Sequence, residues 1–130
     1  MDQEQKRKDA LSVIKKAYNE QEFDELGDLL AKDAVLDSQW VSKKVRGKDQ
    51  IVNYYNLKMG KVVSNFSPVK AESAMLKNEE NKGEPCLIVT QKLDRELTTV
   101  LLTKVDDQGE ITDILLCIPR NYEWVLEEDQ

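Results

Sequence analysis

The sequence predicts an α+β fold, with helices gathered on one face of a mostly antiparallel sheet. Three observations carry this. Apolar residues recur mainly at helical spacing before Pro68 and alternate at strand spacing after it. The later runs are rich in Val, Ile, Leu and Thr and are parted by turn chemistry: NEENKG at 78–83, DRE at 94–96 and DDQG at 106–109. The resulting order is helix, helix, strand, strand, helix and then four strands, with no internal repeat. A chain of 130 residues suits one domain with one core, taken as 1–130 with polar, frayed ends at 1–8 and 125–130.

Residues 3–19 read as the first helix, because Ala10, Leu11, Val13, Ile14, Ala17 and Tyr18 fall on one apolar face. Lys6, Arg7 and Lys8 in its polar start read as a solvated face. Asn19 and the polar residues after it end this helix. Phe23, Leu26, Leu29 and Leu30 then form a second helix of about two turns. Gly27 inside it costs up to about 1 kcal/mol relative to Ala, which points to close packing against a neighbour. Ala34–Asp37 reads as a short strand, and Val41–Arg46 as a second strand or a loop. Gly47 turns the chain into a third helix carrying Ile51, Tyr54, Tyr55, Met59 and Val62, where Asp49 suits the helix dipole.

The four later strands fall near 68–77, 85–94, 98–105 and 111–118 and form an antiparallel meander. Thr99, Leu101, Thr103 and Val105 share one face; Thr98, Val100, Leu102 and Lys104 share the other. Both faces carry apolar residues, so the face away from the helices also needs cover. A second subunit is the simplest cover. The tail NYEWVLEEDQ ends in acid and reads as disordered, with Trp124 packed on the body.

Composition narrows the function. Lys and Arg number 19 against 25 Asp and Glu, a net charge of −6 with a pI near 4.8. Such a balance argues against nucleic acid and anionic membrane as partners. The start MDQEQKRKDALSV lacks the apolar segment of a signal peptide, and no apolar run is long enough for a membrane span, so cytoplasmic residence is expected. Cys86 and Cys117 fall in strand-like runs with one strand between them. Their Cα atoms would lie about 9–10 Å apart, beyond the roughly 7 Å limit of a disulfide, so both read as buried thiols. The chain has no histidine. This removes Ser-His and Cys-His nucleophiles and the commonest general base, and the cysteines lack metal-ligand spacing. No metal or cofactor is expected, and any catalysis falls to carboxylates, Tyr, Lys or Arg.

Ala17, Asn19, Phe23, Asp24, Leu26, Leu29, Leu30, Ala31, Asp33, Ala34 and Asp37, then Gly47, Ile51, Tyr54 and Tyr55, form an ordered set. The stretch resembles the nuclear transport factor 2-like, or SnoaL-like, superfamily over about residues 10–60; the later strands match in order alone. The resemblance implies a cystatin-like fold: a curved, mostly antiparallel sheet wrapped around a cone-shaped pocket, closed by helices and commonly dimeric through the sheet. The superfamily holds isomerases, hydrolases, dehydratases and proteins that only bind, so the fold leaves the function open.

Catalytic positions carry over poorly. Ketosteroid isomerases show the pattern D-A-x-V-E-D-P; set on Asp33-Ala34, their aspartate base falls on Ser38 and the preceding glutamate on Asp37. Their oxyanion tyrosine falls on Ile14. Alternation along a strand then aims Ser38 into the pocket and Asp37 away from it, and a slip of one residue would reverse this. The R-x-D pair of limonene epoxide hydrolase is matched by Lys92-Leu93-Asp94, with its last carboxylate on Leu116. Lysine lacks the guanidinium fork. Scytalone dehydratase relies on histidine. Asp113 is set among Ile111, Leu115 and Cys117, where burial would raise its pKa; its place near a strand end favours contact with water or Lys104.

Asp37, Asp94 and Asp113 are thus the candidate catalytic residues, and Tyr18, Ser38, Trp40, Tyr54 and Tyr55 the candidate pocket, although helical spacing favours core packing for the tyrosines. The expected function is binding of a small apolar ligand in the cone, or a role as a dimeric association module; in a third reading the cone is filled by its own side chains. The alternative is an isomerase or hydrolase of the SnoaL or ketosteroid isomerase type working through a pocket carboxylate. The expected partners are a second copy, joined through the sheet, and a small apolar ligand.

Overall fold

The structure is a computed structural model that describes residues 3–40, 43–64, 69–78, 83–92 and 96–127. Helix α1 runs over Gln3–Glu20 and buries Ala10, Leu11, Ile14, Ala17 and Tyr18 along one stripe. Its polar first turns, expected to fray, are helical and tied to the sheet. Gln3 Nε2 donates to the Val105 carbonyl at 2.7 Å, Lys6 Nζ donates to the Asp107 carbonyl, and Arg7 pairs with Glu84 at 3.5 Å. Lys6 and Arg7 are therefore anchors rather than a purely solvated face.

Helix α2, Asp24–Leu29, is shorter than the periodicity suggests. Leu30 has extended angles and opens β1 (Leu30–Ser38), which is longer than the expected Ala34–Asp37. Apolar spacing alone does not separate a buried strand residue from the last turn of a helix. Gly27 meets the expected neighbour: a Cβ there would stand 3.0 Å from Val52 Cγ2 on α3 (Lys48–Ser64). Between β1 and α3 lies β2, Lys43–Arg46; Val41 is outside the described residues. Gly47 then adopts a positive φ of 94° while its N–H donates to the Ala34 carbonyl at 2.8 Å.

The meander follows as β3 (Val69–Leu76), β4 (Pro85–Lys92), β5 (Glu96–Val105) and β6 (Ile111–Cys117). A 3-10 turn at Pro119–Asn121 leads to β7, Trp124–Leu126. The described strands form one sheet in the order β2-β1-β6-β5-β4-β3-β7, antiparallel except for β1 beside β6. The α+β architecture, with three helices on a mostly antiparallel sheet, is the expected one.

The tail corrects the expectation of disorder. β7 pairs Trp124 with Leu76 and Leu126 with Ala74, the Glu127 N–H donates to the Ser73 carbonyl at 2.9 Å, and residues 128–130 lie outside the described part. The edge of β3 offers backbone groups that need partners, and the tail supplies them.

Two apolar clusters flank the sheet. The inner one joins Leu36, Leu87, Leu101 and Ile114 to the helices through Ile14, Phe23, Ile51 and Tyr55. The outer one holds Leu76, Cys86, Ile88, Val100, Leu102 and Cys117, with Tyr122 and Trp124 packed against it. Cover that the sequence assigned to a second subunit thus comes in part from the chain itself. Both cysteines are free and lie on strands separated by β5; burial pushes the Cys86 thiol up to about 12 and raises Cys117 as well.

Candidate functional site

A cavity of about 210 Å³ lies between the helices and the inner face of the sheet. Its walls are apolar along Val69, Val89, Leu97 and Leu116, from β3, β4, β5 and β6. Cross-strand pairing sets this wall. Val89 lies opposite Thr99, Gln91 opposite Leu97, and Leu116 opposite Ser38. Ser38, Gln91 and Thr99 add neutral polar atoms, α1 contributes Tyr18, and α3 contributes Tyr54 and Lys58.

Ser38 ends β1 in register with Leu36 and Ala34, whose side chains are in the inner core, and is itself buried in the cavity wall. Its Oγ accepts the Trp40 N–H at 3.3 Å. The next residue clamps this turn to β6: the Gln39 N–H donates to the Leu116 carbonyl at 2.9 Å, and Gln39 Oε1 accepts the Ile118 N–H at 3.0 Å. The clamp holds Trp40, 45% exposed, at the solvent side of the cavity. Asp37 alternates to the opposite face, where its Oδ2 lies 4.0 Å from Lys44 Nζ.

Tyr18 and Tyr55 share a hydrogen bond between their hydroxyls at 2.8 Å. The Tyr55 ring stacks on Phe23 at 4.7 Å, and Tyr18 meets Tyr55 edge-on at 5.4 Å. Tyr55 is fully buried behind the cavity rather than lining it, so four of the five expected pocket residues line the space and the fifth supports one of them. Burial pushes both hydroxyls well above the ordinary tyrosine value, which keeps them neutral at physiological pH. One proton bridges the pair. The Tyr18 hydroxyl donates in that bond, which leaves its oxygen as an acceptor on the cavity side.

Lys58 is the charged member among the described lining residues. Its Nζ lies 3.4 Å from Tyr54 Oη and 5.6 Å from that ring's centroid. Lysine at this position follows Tyr54 by one helical turn, so the helix spacing already carried the signal. Sequence alone does not mark Val69, Val89, Gln91, Leu97 and Thr99 as lining residues, because strand register has to be known first.

The two described catalytic candidates, Asp37 and Asp113, do not line the cavity. Asp37 faces outward. Asp113 lies on the outer face opposite Lys104, and its Oδ2 accepts a hydrogen bond from Thr112 Oγ1 at 2.9 Å. A register shift between Lys104 and Val105 moves Ile111 into the inner core, so Asp113 does not share its face. Asp94 lies outside the described residues. Of the positions that the resemblance singled out, Ser38 and Leu116 line the cavity and Ile14 is fully buried in the core. Among the described residues, no group of three His, Cys, Asp or Glu could hold a metal ion, and no helix is long and apolar enough to cross a membrane.

No family model matches this sequence, and no curated protein does. Solved structures do match. An NTF-2 like protein of unknown function from Burkholderia xenovorans is 20% identical, with a TM-score of 0.61 over 90% of this chain and 87% of that one. A Mycobacterium tuberculosis protein in complex with estradiol-17beta-hemisuccinate is 15% identical, with a TM-score of 0.60 over 85% of this chain and 92% of that one. An LEH-like epoxide hydrolase of Mycobacterium tuberculosis is 13% identical, with a TM-score of 0.62 over 92% of this chain and 84% of that one. At these identities the likeness is one of fold. The curved sheet, its closing helices and these neighbours together identify the chain as carrying the nuclear transport factor 2-like, cystatin-like fold that its sequence resembles.

Proposed function

We propose that the chain binds a small apolar ligand in this cavity and does not run carboxylate chemistry there. One observation carries the reading: the described lining is apolar and neutral-polar, with one ammonium and no carboxylate. The space of about 210 Å³ exceeds the roughly 150 Å³ that holds benzene in an engineered core, and falls below the usual range for drug-sized ligands. A ligand of about two fused rings fits these bounds. Tyr18, Ser38, Gln91 and Thr99 would fix its orientation through a few polar contacts. The Mycobacterium tuberculosis neighbour in complex with estradiol-17beta-hemisuccinate supports the same use of the fold for a ring compound.

The isomerase or hydrolase alternative needs a carboxylate beside the reacting atom. Asp37 and Asp113 point elsewhere, which favours binding. A homodimer through the sheet is a separate part of the proposal, supported by Leu126, exposed beside the outer cluster. Sedimentation at high micromolar concentration tests it, and a monomer overturns it. Residence in the reducing cytoplasm is proposed on the two free thiols.

Titration with the neutral two-ring fluorophore 1-naphthylamine tests the ligand reading. Saturable one-site enhancement is expected in the native chain and its loss in Val89→Trp, which fills the cavity. No saturable enhancement in the native chain would overturn the reading.

A further inference from the structure

The charge pattern around the cavity runs against that of the chain. The protein carries a net charge of −6, yet the described lining residues include no carboxylate and one lysine. Lys58 is exposed, so its ammonium stays in water at the edge of the cavity lining. It leans over Tyr54, with Nζ 3.4 Å from the hydroxyl and 5.6 Å from the ring centroid. A tyrosine hydroxyl and a π face orient the ammonium without neutralising it. No ion pair with a described carboxylate occupies it. The apolar part of the strand wall, Val69, Val89, Leu97 and Leu116, offers nothing to a charge and favours an apolar body.

Resting on the ligand reading above, we infer that the ligand is an apolar ring compound ending in an anion, a carboxylate or its equivalent, whose charged end meets Lys58 while the ring body enters the cavity. A neutral ligand would leave the ammonium without use. A cationic one would be repelled at the mouth. Long-range steering does not help, because the acidic chain repels anions and salt screens beyond about 8 Å. The preference must therefore come from the close contact at Lys58.

Calorimetric titration with 2-naphthoate and its neutral isostere 2-naphthamide separates the two layers. The native chain should bind naphthoate about five-fold tighter than the amide, the scale of a part-exposed ion pair. Lys58→Met should abolish that preference, and Lys58→Arg should retain it. Raised salt should weaken naphthoate alone. Equal binding of both compounds by the native chain, or a preference surviving in Lys58→Met, overturns the anion inference and leaves the ligand reading standing. Binding of neither compound overturns the anion inference. If 1-naphthylamine also fails to bind, the ligand reading falls with it.

Discussion

The side chain of Asn19 acts as an extra strand partner for Ala71. Its Oδ1 accepts the Ala71 N–H at 2.7 Å, and its Nδ2 donates to the Ala71 carbonyl at 3.0 Å. Ala71 pairs on its other edge with Val89, a lining residue, so the end of α1 is pinned to the cavity wall. Asn19→Ala removes both bonds and leaves a buried residue's backbone groups short of partners. A loss of about 1–2 kcal/mol is expected in urea unfolding, limited by the exposure of Asn19 to water. Asn19→Asp should recover little, because a carboxylate cannot donate to the carbonyl.

The tyrosine pair predicts an alkaline limit. Tyr18 and Tyr55 both titrate well above their ordinary value of about 10 in the folded chain, chiefly through burial. A raised folded value favours the neutral form, so the stability it contributes is fully present below about pH 10 and is lost as pH climbs beyond. Unfolding measured from pH 7 to 12 should show falling stability in the upper part. Tyr55→Phe should cost about 1 kcal/mol at neutral pH, from the lost bond to Tyr18. Its alkaline slope should be shallower by up to about 1.4 kcal/mol per pH unit. An unchanged slope would contradict the assignment to Tyr55.

Thiol chemistry should be silent in the native state. Cys86 and Cys117 are buried, their thiols are pushed up, and only the thiolate reacts. Alkylation by iodoacetamide at pH 8, followed by mass spectrometry, should label neither residue in the folded chain and both in denaturant. Labelling of the native chain within minutes would show that the outer cluster opens readily.

The tail should be structural. Trp124 packs on the outer cluster and pairs with Leu76. Trp124→Ala should destabilise by about 2 kcal/mol, less than the roughly 3–5 typical of a fully buried aromatic. The newly exposed sheet face should also raise self-association in sedimentation. A neutral effect on both would mean that β7 adds nothing to the core.

Gly47 offers a backbone test. Its φ of 94° suits glycine, and no heavy atom lies within 4 Å of an added Cβ. Gly47→Ala should therefore cost about 1–2 kcal/mol from conformation alone, read as a shift in the urea midpoint.

Much of this fold was legible in the sequence because it rests on local physics. Helical spacing marked α1 and α3, and turn residues bounded the four meander strands within a few positions. The separation of Cys86 from Cys117 followed from strand order. Local pattern could not tell that Leu30 starts a strand, that 124–126 closes the edge of β3, or that β1 runs parallel beside β6. Those are pairings between distant segments, chosen by which backbone edges need partners. The site divides in the same way. Tyr18, Ser38, Trp40 and Tyr54 could be named from sequence, and Lys58 was within reach. The strand wall and the position of Tyr55 behind it needed the tertiary structure. Side-chain direction in a sheet depends on register, and a shift such as the one beside Val105 reverses it for every residue beyond. Sequence by itself determined the element order and the lack of histidine chemistry; only the tertiary structure decided that Ser38 looks into the cavity and Asp37 lies on the outer face beside Lys44, because strand pairing selects one face for each residue.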